Sequence, residues 1–175
     1  SKTFNPEIVE LMTLGVAEYA KEAAARGNKK PVVLIGGDTR QDTKESLPLI
    51  KDTLVNQGID VIYIKEPVPT PLHALMTKEK DIDVSILLTA SHNPWSDGGF
   101  NLVTKEGAIA PPSVTKKVAQ NIVDYAKKGV YTTDKRKRGN VIETFPYDMY
   151  KEQLNSYNLI DWDAIRNAGI SIYYD

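Results

Sequence analysis

A hydroxyl, an imidazole and an amide stand side by side at Ser91, His92 and Asn93, between Thr89-Ala90 and Pro94, and the string runs on as Trp95-Ser96-Asp97-Gly98-Gly99. These residue types do chemistry on small polar substrates. The serine can act as a nucleophile, the histidine can move a proton or donate to an anion, and Asn93 and Pro94 can fix the turn around them. A serine hydrolase would need its base to face the nucleophile, and adjacent side chains such as Ser91 and His92 do not readily adopt that geometry. The nucleophile-elbow pattern is missing too, and the only other histidine, His73, falls in a predicted helix as a partly buried residue. A lone serine in a loop is more often a turn former, so its meaning depends on where the chain puts it.

The elements before the string alternate. Asn5 as N-cap and Pro6 at the first helical position open a helix with Ile8, Leu11, Met12, Gly15, Tyr19, Ala20 and Ala23 on one face, ending near Gly27. Residues 32–35 form a short branched run closed by Gly36 and Gly37, the pattern of a strand buried on both faces. Asp42 with Glu45 three residues on predicts a helix cap, and Leu47, Ile50 and Leu54 keep helical spacing up to Gly58. Residues 59–64 predict a second strand, Thr70 with Pro71 starts a third helix through Leu72, Leu75 and Met76, and residues 84–88 predict a third strand. Strands joined through helices lie parallel with helices on their faces, which gives an α/β fold, a three-layer α/β/α sandwich. Residues 100–103 follow too closely for a crossover helix, so they predict an antiparallel fourth strand in a mixed four-stranded sheet. Ser91 then lies beyond the carboxyl end of a strand, where open α/β sheets bind their ligands.

Pro111, Pro112 and Ser113 introduce a further helix with Val114, Val118, Ile122 and Tyr125 on its inner face. Residues 129–144 are polar and charged, with Lys135, Arg136, Lys137 and Arg138 in succession, and suit an exposed connector or hairpin. The expected organisation is a first domain over residues 1–140 and a connector with the beginning of a second, similar domain over 141–175. That remainder holds helices over 147–157 and 161–168 and a strand-like run over 170–174 with nothing after it to cover it. An α/β unit that stops on a fresh strand is expected to be cut off.

Bulk properties exclude several classes. The chain has 175 residues, 41% apolar, 26% charged and with a net charge of -1, as a globular protein has. There are no cysteines, so disulfides and thiolate chemistry are excluded, and a reducing, cytoplasmic setting is the default expectation. No run approaches the roughly 20 apolar residues of a membrane span, and no membrane partner is expected. The Lys135 to Arg138 cluster could serve a non-catalytic binding module, but no aromatic platform or reading helix accompanies it, and no nucleic-acid partner is expected. Gly36-Gly37 is followed by neither phosphate-loop spacing.

The string from Thr89 to Pro94 resembles the phosphoserine loop of the phosphohexomutase family, which interconverts hexose 1-phosphates and 6-phosphates. Gly37-Asp38-Thr39-Arg40 is similar to the family's Gly-x-Asp-x-Arg turn, Pro69-Thr70-Pro71 to its Thr-Pro turn, and Asp97-Gly98-Gly99-Phe100 to the segment after its active loop. The resemblance implies that Ser91 rests as a phosphoserine, gives its phosphoryl group to the free hydroxyl of a bound hexose phosphate (glucose or mannose), and recovers the other phosphate from the bisphosphate. His92 would donate to the phosphate or shuttle a proton. Thr89, Ala90, Asn93 and Pro94 would shape the phosphate loop, and Arg40 would pair with Asp38 to hold it. The resemblance also implies Mg²⁺ touching the phosphate of Ser91, a hexose 1,6-bisphosphate activator, and further mutase domains in a longer parent.

The family's metal loop, Asp-x-Asp-x-Asp-Arg, does not occur in this chain. Asp81-x-Asp83 and Asp161-x-Asp163 lack its third Asp and its Arg, and suit a strand start and a helix cap. The fragment alone is therefore expected to be inactive. Two departures stand out: Asn101 occupies the place of a usual Lys implicated in acid-base work, and the family's Gly-Thr-Ser-Gly-x-Arg-Gly start is absent.

Overall fold

Branched apolar runs punctuated by glycine become strands here, and the amphipathic stretches between them become helices that cover both faces. The computed structural model describes residues 5–128 and 138–173. It runs α1 (Pro6–Arg26), β1 (Val32–Gly37), α2 (Gln41–Asn56), β2 (Asp60–Ile64), α3 (Thr70–Glu79), β3 (Val84–Leu88), β4 (Phe100–Thr104), α4 (Pro112–Lys128), β5 (Val141–Thr144), α5 (Tyr147–Ser156) and α6 (Trp162–Asn167). One unit, Ser1–Phe145, carries the sheet, and a second, Pro146–Asp175, carries α5 and α6.

The strand order is β4-β3-β1-β2-β5. β1 runs parallel to β2 and β3, and β4 is antiparallel to β3, as the short connection requires. The sheet has five strands where the sequence predicts four, because β5 pairs in parallel with β2 from Val61 opposite Val141 to Ile64 opposite Thr144. Val141 and Ile142 sit among charges and stay 40% and 62% exposed, so no buried pattern marks them as a strand. Backbone bonds hold the segment instead: Gly139 N donates to Val55 O at 2.9 Å, and Asn140 N to the Asp60 carboxylate at 2.6 Å.

Strand side chains alternate between faces. Val33, Ile35, Val61, Val84 and Ile86 point to a core shared with Val16, Ala17 and Ala20 of α1, Leu47, Ile50 and Leu54 of α2, and Val118 of α4. α1 packs against both α2 and α4, while α3 covers the opposite face against β1, β3 and β4. This double neighbourhood rotates the buried stripe of α1 away from the predicted one. Gly15 and Ala20 are buried as expected and Val9, Thr13, Leu14, Val16 and Ala17 join them, whereas Ile8 is exposed and Leu11 and Met12 are half-buried. Asp42 and Glu45 do not form the expected cap. α2 starts from Arg40 without a side-chain cap, because Asp38 ties the helix entrance by accepting from Arg40 N at 3.0 Å and Thr43 Oγ1 at 3.1 Å.

In the second unit Asp161 caps α6 through Ala164 N at 2.8 Å, and Trp162 Nε1 donates to Asn155 Oδ1 at 2.8 Å. No residue of α5 or α6 is buried. Residues 170–173, predicted as part of a strand, take no regular structure, since among the described residues this unit offers no strand to pair with. Lys135, Arg136 and Lys137 of the basic cluster, and Tyr174, lie outside the described residues.

His73 is completely buried rather than partly so, because α3 lies on the sheet where Gly36 leaves room; a Cβ there would stand 3.2 Å from His73 Cδ2. Burial lowers its pKa to about 4 from 6.5, against an opposing contribution from the Ile86 backbone. Neither ring nitrogen has a partner that meets hydrogen-bond geometry. The unfolded chain therefore takes up this proton near 6.5 and the folded chain only near 4. The fold is most stable above that interval and loses about 3 kcal/mol as pH falls through it, at ~1.4 kcal/mol per unit. Urea titrations at about pH 7.5 and about pH 4.5 should show most of that loss in the wild type and little of it in His73→Leu. An equal loss in both would exclude His73 as its source.

Candidate active site

β1 and β3 end together, Gly37 opposite Leu88, and Asp38 N extends the ladder by donating to Leu88 O at 3.0 Å. The turn after β1 and the loop after β3 therefore emerge side by side at the carboxyl pole of the parallel strands. The loop is closed at its base, where Thr89 N donates to Gly99 O at 3.0 Å. A side chain at Gly99 would have no room, since its Cβ would fall 2.0 Å from Thr89 O. Asn101 Nδ2 donates to the same Thr89 carbonyl at 2.8 Å. Two successive turns follow, closed by Asn93 N to Ala90 O and Asp97 N to Pro94 O, both 3.0 Å.

Arg40 holds this loop from the inside. Its side chain is only 12% exposed. Nη2 donates to Ser91 O at 3.0 Å and Asn93 O at 2.9 Å, and Nη1 donates to Pro94 O and, at 3.4 Å, to Asp97 O. Nε donates to Asp38 Oδ2 at 3.0 Å. Burial pushes the Asp38 carboxyl up, but the Arg40 amide, Thr89, Thr43 and the guanidinium all donate to it and together hold it below its ordinary 3.8. The stabilisation from this ionised carboxylate is complete above 3.8 and is lost only as pH falls through the lowered value. At neutral pH the clamp is intact.

Ser91 is exposed, and its backbone is left-handed with φ 54°, held by its amide donating to Thr89 Oγ1 at 3.1 Å. For a residue with a Cβ this conformation costs about 1–2 kcal/mol. Ser91→Gly should therefore raise stability by about 1 kcal/mol over Ser91→Ala in chemical denaturation, even though both lack the hydroxyl. Equal stabilities would show that the loop relaxes out of the left-handed region.

Ser91, Asn93, Asp38 and Arg40 line one concave surface of about 550 Å³, together with Thr39, Gln41 and Trp95. Thr89, Ala90, His92 and Pro94 build the loop but not this lining. The His92 ring is exposed and makes no hydrogen bond among the described residues, and His73 lies buried beneath α3. No imidazole therefore faces the Ser91 hydroxyl as a hydrolase would require. The N-terminus of α2 opens onto the same concavity without a side-chain cap, an environment that favours negative charge.

Thr39, Gln41 and Trp95 are the lining residues that sequence reasoning does not single out. Trp95 offers a signal in hindsight, as a large aromatic set among turn formers with no apolar periodicity to bury it. A larger concavity of about 720 Å³ lies at the amino end of the strands, where Lys29 pairs with Asp81 at 2.5 Å and Asp83 at 3.2 Å; its lining has no serine or histidine. Those two aspartates and Asp163, which pairs with Arg166 at 2.7 Å, are engaged in ion pairs, and Asp161 is a helix cap. No group of three or more His, Asp or Glu side chains among the described residues is placed to hold a metal ion.

Fold and site together define a three-layer α/β/α domain that presents a serine loop at the carboxyl pole of a mainly parallel sheet. Residues 1–128 match the model of phosphoglucomutase/phosphomannomutase alpha/beta/alpha domain I, and the chain belongs to that family. It is 30% identical over 165 residues to the phosphoglucosamine mutase of Bordetella pertussis, covering 89% of this chain and 35% of that enzyme. With the phosphoglucosamine mutase of Erythrobacter litoralis it shares 35% over 118 residues, 67% of this chain and 25% of the relative. The chain thus spans about a third or less of the length of these curated relatives. A crystal structure of a phosphoglucomutase/phosphomannomutase family protein from Burkholderia thailandensis superposes with a TM-score of 0.70 at 23% identity, covering 89% of this chain and 33% of that one. At that identity the likeness is one of fold.

Proposed function

We propose that Ser91 is the phosphoryl carrier of a hexose-phosphate mutase, resting as a phosphoserine and exchanging phosphate with the 1- and 6-hydroxyls of a hexose through a bisphosphate intermediate. The observation that carries this reading is the placement of an exposed, left-handed serine on a loop clamped by Arg40, beside the uncapped N-terminus of α2. Phosphoryl transfer asks a protein mainly for positioning and for neutralisation of charge. Arg40 and Asp38 fix the backbone that carries the hydroxyl. Thr89 and Asn93 shape the loop, and the exposed His92 is free to approach a phosphate and move a proton.

The substrate is a hexose phosphate, glucose or mannose in our reading, and a hexose 1,6-bisphosphate is the activator. The chain's likeness to phosphoglucosamine mutases makes glucosamine phosphate the competing sugar. The relatives' greater length supports further domains in a longer protein, beginning beyond β5, and a cytoplasmic metabolic role fits such an enzyme. Magnesium would neutralise phosphate charge in that complete protein on carboxylates supplied by its further domains; among the described residues no three carboxylates or imidazoles gather to hold it.

Phosphopeptide mapping of the complete protein after incubation with glucose 1,6-bisphosphate should find one phosphate, on Ser91. Residues 1–175 alone should fold and give no conversion of glucose 1-phosphate. Phosphate found only on another residue, or none with glucose, mannose or glucosamine bisphosphates, would reject the proposal.

A further inference from the structure

We infer that Trp95 is the platform on which the hexose ring of the substrate lies, with Thr39 and Asn93 positioned to bind its hydroxyls. This deepens the reading of Ser91 and rests on it. Trp95 is 81% exposed, although a large aromatic side chain gains more than most from leaving water. The turn that carries it is nevertheless fixed. Arg40 donates to Pro94 O just before it and to Asp97 O just after it, and Asp97 N closes the turn on Pro94 O at 3.0 Å. An exposed indole on a clamped backbone is a preformed surface that gives up little freedom on binding.

Every other residue lining the concavity is polar or charged: Asp38, Thr39, Arg40, Gln41, Ser91 and Asn93. A protein or lipid partner covering Trp95 would call for apolar neighbours, and the lining supplies none. A hexose instead presents one face of C–H groups and a rim of hydroxyls, so one aromatic plane surrounded by hydroxyl and amide side chains suits it. The volume of about 550 Å³ admits one such sugar phosphate, with its reacting oxygens in the same concavity as the Ser91 hydroxyl.

The chain has two tryptophans, Trp95 and Trp162, so their indole N–H signals can be told apart by NMR with Trp95→Phe as the assignment aid. Titration of the 175-residue chain with glucose 6-phosphate should move the Trp95 signal to saturation and leave Trp162 in place. Inorganic phosphate should move the Ser91 amide but not Trp95. Trp95→Ala should weaken glucose 6-phosphate binding about 10-fold, and Trp95→Phe by less than about 3-fold, with phosphate affinity unchanged in both. A Trp95 signal indifferent to about 100 mM glucose 6-phosphate, or an alanine variant that binds it as the wild type does, would overturn the inference. The reading of Ser91 fails separately. Phosphate on Ser91 beside an indifferent Trp95 rejects only the platform, whereas a responsive Trp95 with no phosphate ever found on Ser91 rejects the phosphoryl relay and leaves a sugar site.

Discussion

Alanine at position 91 is expected to silence the complete protein while leaving its fold intact. The Ser91 side chain is exposed and enters none of the hydrogen bonds that hold the loop; only its amide and carbonyl do. Alanine shares the left-handed penalty of serine at this position, so denaturation midpoints should place the variant within about 0.5 kcal/mol of the wild type. The chemical effect is of another order. With no oxygen to receive phosphorus, the phosphopeptide disappears and mutase turnover in a coupled assay should fall by about 10⁴-fold or more. Turnover within about 10-fold of the wild type would remove Ser91 from the mechanism.

Arg40→Ala should damage both stability and transfer. It strips donors from the carbonyls of Ser91, Asn93, Pro94 and Asp97 and removes the counter-charge from Asp38. Hydrogen bonds from a charged donor contribute about 1.5–3 kcal/mol each, but several of these carbonyls are exposed and can turn to water. A net loss of about 2–3 kcal/mol is therefore expected. A displacement of the loop by about 1 Å costs on the order of 100-fold in a positioned reaction, and phosphate transfer through Ser91 should slow by about that factor. Lysine should not restore it, because one ammonium cannot replace a planar fork that reaches several carbonyls at once. The sharpest readout is the Ser91 amide by NMR, which should move out of its left-handed environment in Arg40→Ala at temperatures where the fold persists. Full transfer with an unchanged Ser91 amide would show that the turns at Asn93 and Asp97 hold the loop without the arginine.

The alternation of elements was legible because glycine, proline and branched residues punctuate the chain at nearly every boundary, and the antiparallel β4 followed from the shortness of its connection. β5 was not legible, because its pairing rests on backbone groups and its apolar residues remain exposed. The buried face of α1 was legible only in part, at Gly15 and Ala20, because periodicity reveals a stripe but not that two neighbouring helices widen and turn it. At the site, the position of Ser91 could be read from the strand before it. The four-carbonyl reach of Arg40 could not be read, since it depends on how two loops distant in sequence meet. Nor could the gathering of Thr39, Gln41 and Trp95 around the serine, which only the folded backbone brings about.

The contact between Thr89 and Gly99 at the mouth of β3 and β4 bears on how the loop could be engineered. An excursion pinched shut at its root behaves as a cassette, whose interior can be exchanged without disturbing the strands below. Transplanting it into another sheet of this kind would require two things of the host: a glycine at the return crossing, and an Asp-x-Arg turn on the adjacent strand to grip the graft.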